Sequence, residues 1–127
     1  MSAARNIYGI PRFARAASGH LDFDTSQTTV TLQTAKTTAY RIFITDIIVW
    51  IKTDAAQSIT FQDTAATPLV LGKVPVSPGI DSRWEFPFTD RGYPLTLGKD
   101  LTATFSGAGL AGSITWTGYQ TNKAVYL

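Results

Sequence analysis

Short runs in which apolar and polar residues alternate dominate this chain from residue 20 onward. In the run DLTATFS, Leu101, Ala103 and Phe105 fall on one side, while the two threonines between them fall on the other. A period of two places alternate side chains on opposite faces of an extended strand. Spacers such as VSPGIDS, TDRGYP and LGKD carry the glycine, proline and aspartate that turns need. The pattern predicts an all-β domain, folded as a sandwich or a barrel.

The segment AYRIFITDIIVWIK, residues 39–52, is apolar on both of its predicted faces. Isoleucine, valine, threonine and tryptophan favour strands, so we expect either one central strand bent near Asp46 or two short strands. One sheet face cannot hide so much apolar surface. We therefore expect four side chains to face a second sheet or a subunit interface: Phe43, Ile47, Val49 and Ile51.

Alternation in the later strands predicts which side chains are buried. The expected core residues are Trp84, Phe86, Phe105, Ile114 and Trp116. The residues expected to point outward, either exposed or at an interface, are Thr102, Thr104, Thr115 and Thr117. Pro87 cannot donate a hydrogen bond to a sheet ladder, so its strand is expected at an edge or a bulge. Tyr93 and Tyr119 are the aromatic residues expected at the surface, where a sugar could stack.

Residues 1–19 are interpreted as an N-terminal arm, and residues 20–127 as a β-sandwich domain. The arm holds three of the eleven Lys and Arg and none of the nine acidic residues, so it carries +3 and the body, with eight against nine, carries −1. Its candidate partner-binding residues are Arg5, Ile7, Tyr8, Ile10, Arg12, Phe13 and Arg15. Chain termini are poorly ordered unless something holds them. The arm is therefore expected to clamp a neighbouring subunit, or else to pack on its own domain.

The composition argues against several classes of protein. At 127 residues the chain has the length of one domain, and without cysteine it has neither disulfides nor thiolate metal sites. A net charge of +2 with no strongly basic body makes nucleic acid an unfavourable partner. No apolar run reaches the roughly 18 residues of a membrane span, and no secretion signal is recognisable at the start.

Three patterns with chemical potential favour a structural interpretation over a catalytic one. GAGLAG, residues 107–112, has the spacing of a dinucleotide-binding loop, but a strand-like run follows it where a helix is needed. His20 is the only histidine and alternates with Asp22 on a predicted solvent face. Glu85, the only glutamate, could pair with a nearby aspartate as in glycoside hydrolases, but it too is predicted to face solvent. We predict no catalytic, cofactor-binding or metal-binding residue.

The stretch from about Tyr40 to Tyr119 resembles small β-sandwich structural proteins of tailed bacteriophages. Three runs carry the similarity. They are RIFITDIIVWIK…SITFQD for the opening strands, RWEFPFTDRGYPLTLGKDLTATFS around a Gly-Tyr-Pro corner, and GAGLAGSITWTGYQ for a glycine-rich hairpin and final strand. The resemblance implies a jelly-roll-like antiparallel β-sandwich of about eight short strands with an extended N-terminal arm.

The same resemblance implies a virion protein that is not an enzyme and has no cofactor. The expected type is a capsid decoration (cement) protein, which binds and stabilises the assembled phage head and is often trimeric. Its expected partners are the major capsid protein or other virion subunits, together with further copies of itself. Its expected place is the virion, assembled in the host cytoplasm. The alternative is a head-fibre or tail component with a carbohydrate- or host-recognition role.

Overall fold

The computed structural model describes residues 14–23, 28–52, 57–75, 82–88, 91–107 and 111–123. Within these ranges the chain forms ten β-strands in two antiparallel sheets, and no helix. The strands are β1 (Arg15–Ala16), β2 (Gly19–Phe23), β3 (Thr29–Gln33), β4 (Arg41–Ile51), β5 (Ser58–Asp63), β6 (Val70–Pro75), β7 (Ser82–Pro87), β8 (Tyr93–Pro94), β9 (Leu101–Phe105) and β10 (Gly112–Thr121).

The order of the strands is that of a jelly roll. One sheet runs β2-β10-β4-β7, and the two-residue strands β1 and β8 extend it beside β10 and β4. The other sheet runs β3-β9-β5-β6. The chain thus crosses between sheets at most of its connections, and eight strands carry the fold, as predicted. Pro87 closes β7 at the edge of the six-stranded sheet, where the missing N–H costs no ladder bond.

The core lies between the sheets and is built from the alternate side chains that the sequence indicated. Phe105, Ile114 and Trp116 are buried, as predicted. Phe86 is partly buried against the core, with its ring 6.0 Å from that of Phe61. Phe105 of β9 packs on Phe23 of β2 with ring centroids 4.9 Å apart, and this contact joins the two sheets.

Two of the predicted side-chain depths are wrong. Trp84 pairs with the core residue Val49, but β7 is an edge strand, so the indole lies at the rim and is 37% exposed. Thr102 points away from the core, because its neighbours on β9 point into it, yet it is only 5% exposed. Its hydroxyl donates to the carbonyl of Gln62 at 3.0 Å, which satisfies the buried polar group. The remaining predicted outward residues are partly buried or exposed: Thr104, Thr115 and Thr117.

Segment 39–52 forms one strand, β4, with an irregularity at the place where a bend was expected. Thr117 of β10 pairs with Asp46 and the next residue pairs with Ile44, so Thr45 is an extra residue in β4. A bulge of this kind shifts the alternation by one. Beyond it, side chains that were expected to face the second sheet are fully buried in the core: Ile47, Val49 and Ile51.

Before the bulge, Phe43 faces away from the core and covers Tyr119, which corrects two expectations. The two rings stack with centroids 4.9 Å apart, and Tyr119 is 1% exposed rather than at the surface. The Tyr119 hydroxyl donates to the carbonyl of Arg91. Gly92, with a φ of 84°, lies so close that a Cβ there would be 2.8 Å from the Phe43 Cβ. The backbone at residues 91–92 therefore forms a raised segment on this outer face.

Candidate interaction face of the six-stranded sheet

The outer face of the six-stranded sheet collects charged and aromatic side chains from four neighbouring strands. We call this surface the charged face. Cross-strand pairing arranges it in two rows. The Trp50 row consists of Asp22, Ser113, Trp50 and Arg83. The Ile48 row consists of His20, Thr115, Ile48 and Glu85.

Hydrogen bonds and ion pairs link neighbours within the charged face. His20 lies with its Nδ1 2.8 Å from the Thr115 hydroxyl and its Nε2 3.1 Å from a carboxylate oxygen of Asp22. Arg83 donates to Glu85 at 3.3 Å. The four ionisable side chains are 43–77% exposed, so water screens each pair and its contribution to stability is at most about 1 kcal/mol. These charges are accessible to a binding partner.

Thr115, His20 and Asp22 follow the order of a hydroxyl–imidazole–carboxylate relay, as in nucleophilic catalysis. Such catalysis also needs hydrogen-bond donors for the developing oxyanion. β10 pairs with strands on both of its sides, so the backbone N–H groups around Thr115 are used in the sheet. We interpret the trio as charge and hydrogen-bonding capacity on a flat surface.

Trp50 is the most exposed aromatic side chain among the described residues, at 50%. Its exposure is not evident from the local sequence, because the run around it is apolar on both sides. The signal that could have found it is the alternation of Ile47, Val49 and Ile51, which turns Ile48 and Trp50 to the opposite face. A half-exposed tryptophan between polar neighbours is typical of binding surfaces.

β4 extends the charged face beyond both rows. Asp46 lies two residues before Ile48, and the exposed Lys52 lies two residues after Trp50. Burial raises the pKa of Asp46, and the charge of Glu85 raises it further. The Oδ1 atom of Asp46 is buried and has no hydrogen-bond partner within the described structure. Lys52 continues the line of β4, since its N–H donates to the carbonyl of Ala111 at 2.9 Å. Along this line the outward side chains are therefore acidic, apolar, apolar and basic.

The outer face of the four-stranded sheet has a different character. One row across it consists of Thr29, Thr104, Thr60 and Lys73. The next row consists of Thr31, Thr102, Gln62 and Val70. These two rows hold one lysine and no carboxylate, and we call this surface the threonine face. The charged residues of the two sheets are thus concentrated on one side of the sandwich.

Six of the seven predicted partner-binding residues lie outside the described residues: Arg5, Ile7, Tyr8, Ile10, Arg12 and Phe13. The seventh, Arg15, is exposed in β1 and pairs with Gln120 of β10. Ala17 is fully buried, and its N–H donates to the carbonyl of Gly118 at 3.0 Å. Residues 14–19 therefore pack on their own domain. The clamp on a neighbouring subunit stays a prediction for residues 1–13.

The remaining candidate residues are scattered. Tyr93 is 40% exposed, as predicted, and β10 begins at Gly112, so a strand follows the GAGLAG run. The described ranges contain no cluster of three or more histidine or carboxylate side chains that could hold a metal, and no helix that could cross a membrane. No protein-family model matches the chain, and no curated protein matches it significantly.

Proposed function

We propose that this chain is a bacteriophage virion protein of the capsid decoration (cement) type. The observation that supports the proposal is the jelly-roll order of the strands, an architecture that recurs in viral capsid proteins. The resemblance of residues 40–119 to phage sandwich proteins points the same way. Because one fold serves many functions, the proposal depends on a direct test with particles.

In this proposal the protein stabilises the head through differential binding. A ligand that binds only the assembled shell shifts the equilibrium away from disassembly. Residues 1–13 supply basic and apolar groups for a groove between capsid subunits. Arg15 and Ala17 fix the place where those residues join the domain, because both belong to the described sheet. Copies of the chain on the shell form a symmetric oligomer; the trimer number rests on the resemblance.

The test uses phage heads with and without this protein. The wild-type chain is expected to co-sediment with the major capsid protein in fixed ratio, and heads from a deletion strain are expected to disassemble at lower temperature until the purified chain is added back. Absence from purified particles would contradict the proposal.

Deletion of residues 1–13 tests the role of the arm. This truncation leaves β1 and the buried Ala17 in place, so the domain is expected to keep its unfolding temperature while losing most of its affinity for heads. A truncated protein that binds heads like the full chain would show that the arm is not the clamp.

A carbohydrate-recognition role in a fibre or tail is the second candidate, and the exposure of Trp50 favours it. An indole flanked by a hydroxyl and a guanidinium suits the apolar face and the rim hydroxyls of a neutral sugar. Screening of the purified chain against a glycan array tests this role. Binding that is lost in Trp50→Thr would support it.

A further inference from the structure

The order of charged and apolar side chains on the charged face is complementary to the same order read in the opposite direction along the strands. Along β4 and the residue that follows it, the outward residues are Asp46, Ile48, Trp50 and Lys52. On each flanking strand, one residue from each row forms a pair of opposite charge. On β7 the pair is Arg83 and Glu85, and on β2 it is Asp22 and His20 when His20 is protonated. If any of these three strands is laid over a copy of itself that runs in the opposite direction, each positive side chain lies over a negative one and each apolar side chain over an apolar one.

We propose that the charged face is a contact surface between two copies of this chain. The copies are related by a twofold axis that lies in the contact plane, perpendicular to the strands, and passes between the Trp50 row and the Ile48 row. Such an axis forms an isologous contact, in which the same patch is used twice. The inference rests on this face alone and does not depend on the proposed function.

The axis places unlike charges opposite each other on β4 and β7, and on β2 as well when His20 is protonated. Arg83 faces Glu85 of the partner subunit, and Asp22 faces His20 of the partner subunit. On β4, Asp46 faces Lys52 of the partner subunit. Each exposed ion pair within one copy thereby becomes half of a four-charge group. Among the described residues, the rotation brings no carboxylate over another carboxylate.

The centre of the contact is apolar. Trp50, half exposed in the single chain, packs over Ile48 of the partner subunit, and Ile48 packs over Trp50 of the partner subunit. Ser113 and Thr115 lie beside this centre on β10 and leave room for the indole. An apolar centre with a tryptophan and a charged rim is the usual anatomy of a specific interface.

The raised segment at residues 91–92 selects this axis over the alternative. A twofold axis parallel to the strands would also pair Asp22 with Arg83. It would, however, bring the raised segments of both copies together at the same end of the contact. The axis perpendicular to the strands places them at opposite ends. Packed sheets also cross at about 30°, a rotation that the long Arg83 and Glu85 side chains can follow.

The size of the face indicates a weak complex. Four strands about 5 Å apart, overlapping over some four outward residues, bury on the order of 1,000 Å² in total, near the lower limit for a specific interface. We expect a dissociation constant on the order of tens of micromolar. Copies held close together on a surface would pair far more completely, because their effective concentration is high.

Sedimentation of the full chain over a concentration series tests the contact. Trp50→Thr is expected to weaken self-association at least tenfold. Val70→Thr is the matched control, because Val70 is equally exposed but belongs to the threonine face, and it is expected to associate like wild type. Equal association of the two variants would overturn the proposal, as would a trimer that neither substitution affects.

Exchanging the charges on β7 provides the decisive experiment. Arg83→Glu and Glu85→Arg should each weaken self-association about tenfold, because each brings like charges together across the axis. An equimolar mixture of the two variants should associate at least as well as wild type, since every facing pair is then opposite in charge. Failure of the mixture to associate would overturn the proposal, as would glycan binding by Trp50 in a protein that stays monomeric. Unfolding temperatures confirm that each variant is folded.

Discussion

Asp63 is a buried carboxylate and Asp46 a partly buried one, and their environments are opposite. Asp63, 1% exposed, accepts hydrogen bonds from the backbone N–H groups of Ala65, Leu69 and Thr96 at 2.9–3.1 Å. Asp46, on the charged face, keeps one buried oxygen without a partner within the described structure. The first carboxylate holds two loops at one end of the sandwich, whereas the second leaves an acceptor unused. Asp63 therefore stabilises the fold, whereas Asp46 is a group that the fold tolerates on its outer surface.

The pKa directions follow from this difference. Burial alone would raise the pKa of Asp63, but the hydrogen bonds from Thr96, Leu69 and Ala65 outweigh it and lower the pKa below its ordinary value of 3.8. At Asp46, burial and the charge of Glu85 prevail, so the pKa is raised. Ionised Asp63 therefore stabilises the folded state, and ionised Asp46 destabilises it.

The largest effect is expected from Asp63→Ala. Three backbone donors lose an ionised acceptor that lies at a buried position, so the free energy of unfolding should fall by about 4 kcal/mol. Denaturant titration at pH 7 measures the loss. Asp22→Ala, at an exposed carboxylate of the charged face, is the control and should lose less than about 0.5 kcal/mol. A loss below about 1 kcal/mol in Asp63→Ala would show that the loops do not depend on this carboxylate.

The pH dependence of stability should differ in sign between the two acids. For Asp63 the folded pKa is depressed, so its contribution is complete above 3.8 and is lost as the pH falls through the folded pKa. The advantage of wild type over Asp63→Asn should therefore shrink under acid. For Asp46 the folded pKa is raised, so its cost is complete above that pKa and vanishes as the pH falls towards 3.8. Unfolding curves of wild type, Asp63→Asn and Asp46→Asn from pH 2.5 to 7 measure both effects. The expectation would be contradicted if the free energy of unfolding of wild type changed in the same direction relative to each variant.

Asp46→Asn is expected to stabilise the protein modestly. Removing the charge removes the repulsion by Glu85 and the cost of burying an ionised oxygen, so the free energy of unfolding should rise by about 0.5–1 kcal/mol at neutral pH. The measurement is made at low protein concentration, so that the proposed pairing of copies does not contribute. Asp100→Asn is the control. Asp100 accepts a hydrogen bond from the N–H of Ala35 at 2.9 Å, so the same change there should destabilise the protein. Destabilisation of both variants would show that Asp46 contributes a favourable contact.

Alternation along the strands predicted the side of the sheet on which a residue lies, but not its depth. It placed Phe105, Ile114 and Trp116 in the core, because one face of a central strand is always covered. It failed at Trp84, since strand order decides which strand is at an edge and that order follows from pairings far along the chain. Thr102 is buried through a hydrogen bond to a neighbouring strand that the local sequence does not reveal.

The candidate face was less predictable than the fold. Its two rows combine residues far apart in the chain, such as His20 and Thr115, which are 95 positions apart. Phe43 was expected to share a face with Ile47, Val49 and Ile51, but the bulge at Thr45 reverses the alternation within β4 and turns Phe43 to the opposite face. A bulge is fixed by the partner strand as much as by the bulged one, so a single run of letters does not specify it. The exposed Tyr93 was predicted, whereas Tyr119 is covered by the raised segment.

The smallest effect is expected at Asp22, the carboxylate with the most exposed side chain in the charged face. Its side chain is 77% exposed and its partner His20 is 55% exposed, so solvent screens the pair. Asp22→Asn should change the free energy of unfolding by less than about 0.5 kcal/mol, and added salt should reduce the difference further. Denaturant titrations in 0.05 M and 0.5 M salt would measure both effects. A larger loss that salt does not reduce would mean that Asp22 acts through hydrogen bonding and packing. Asp46 would then be the acid of the charged face that still contrasts with Asp63.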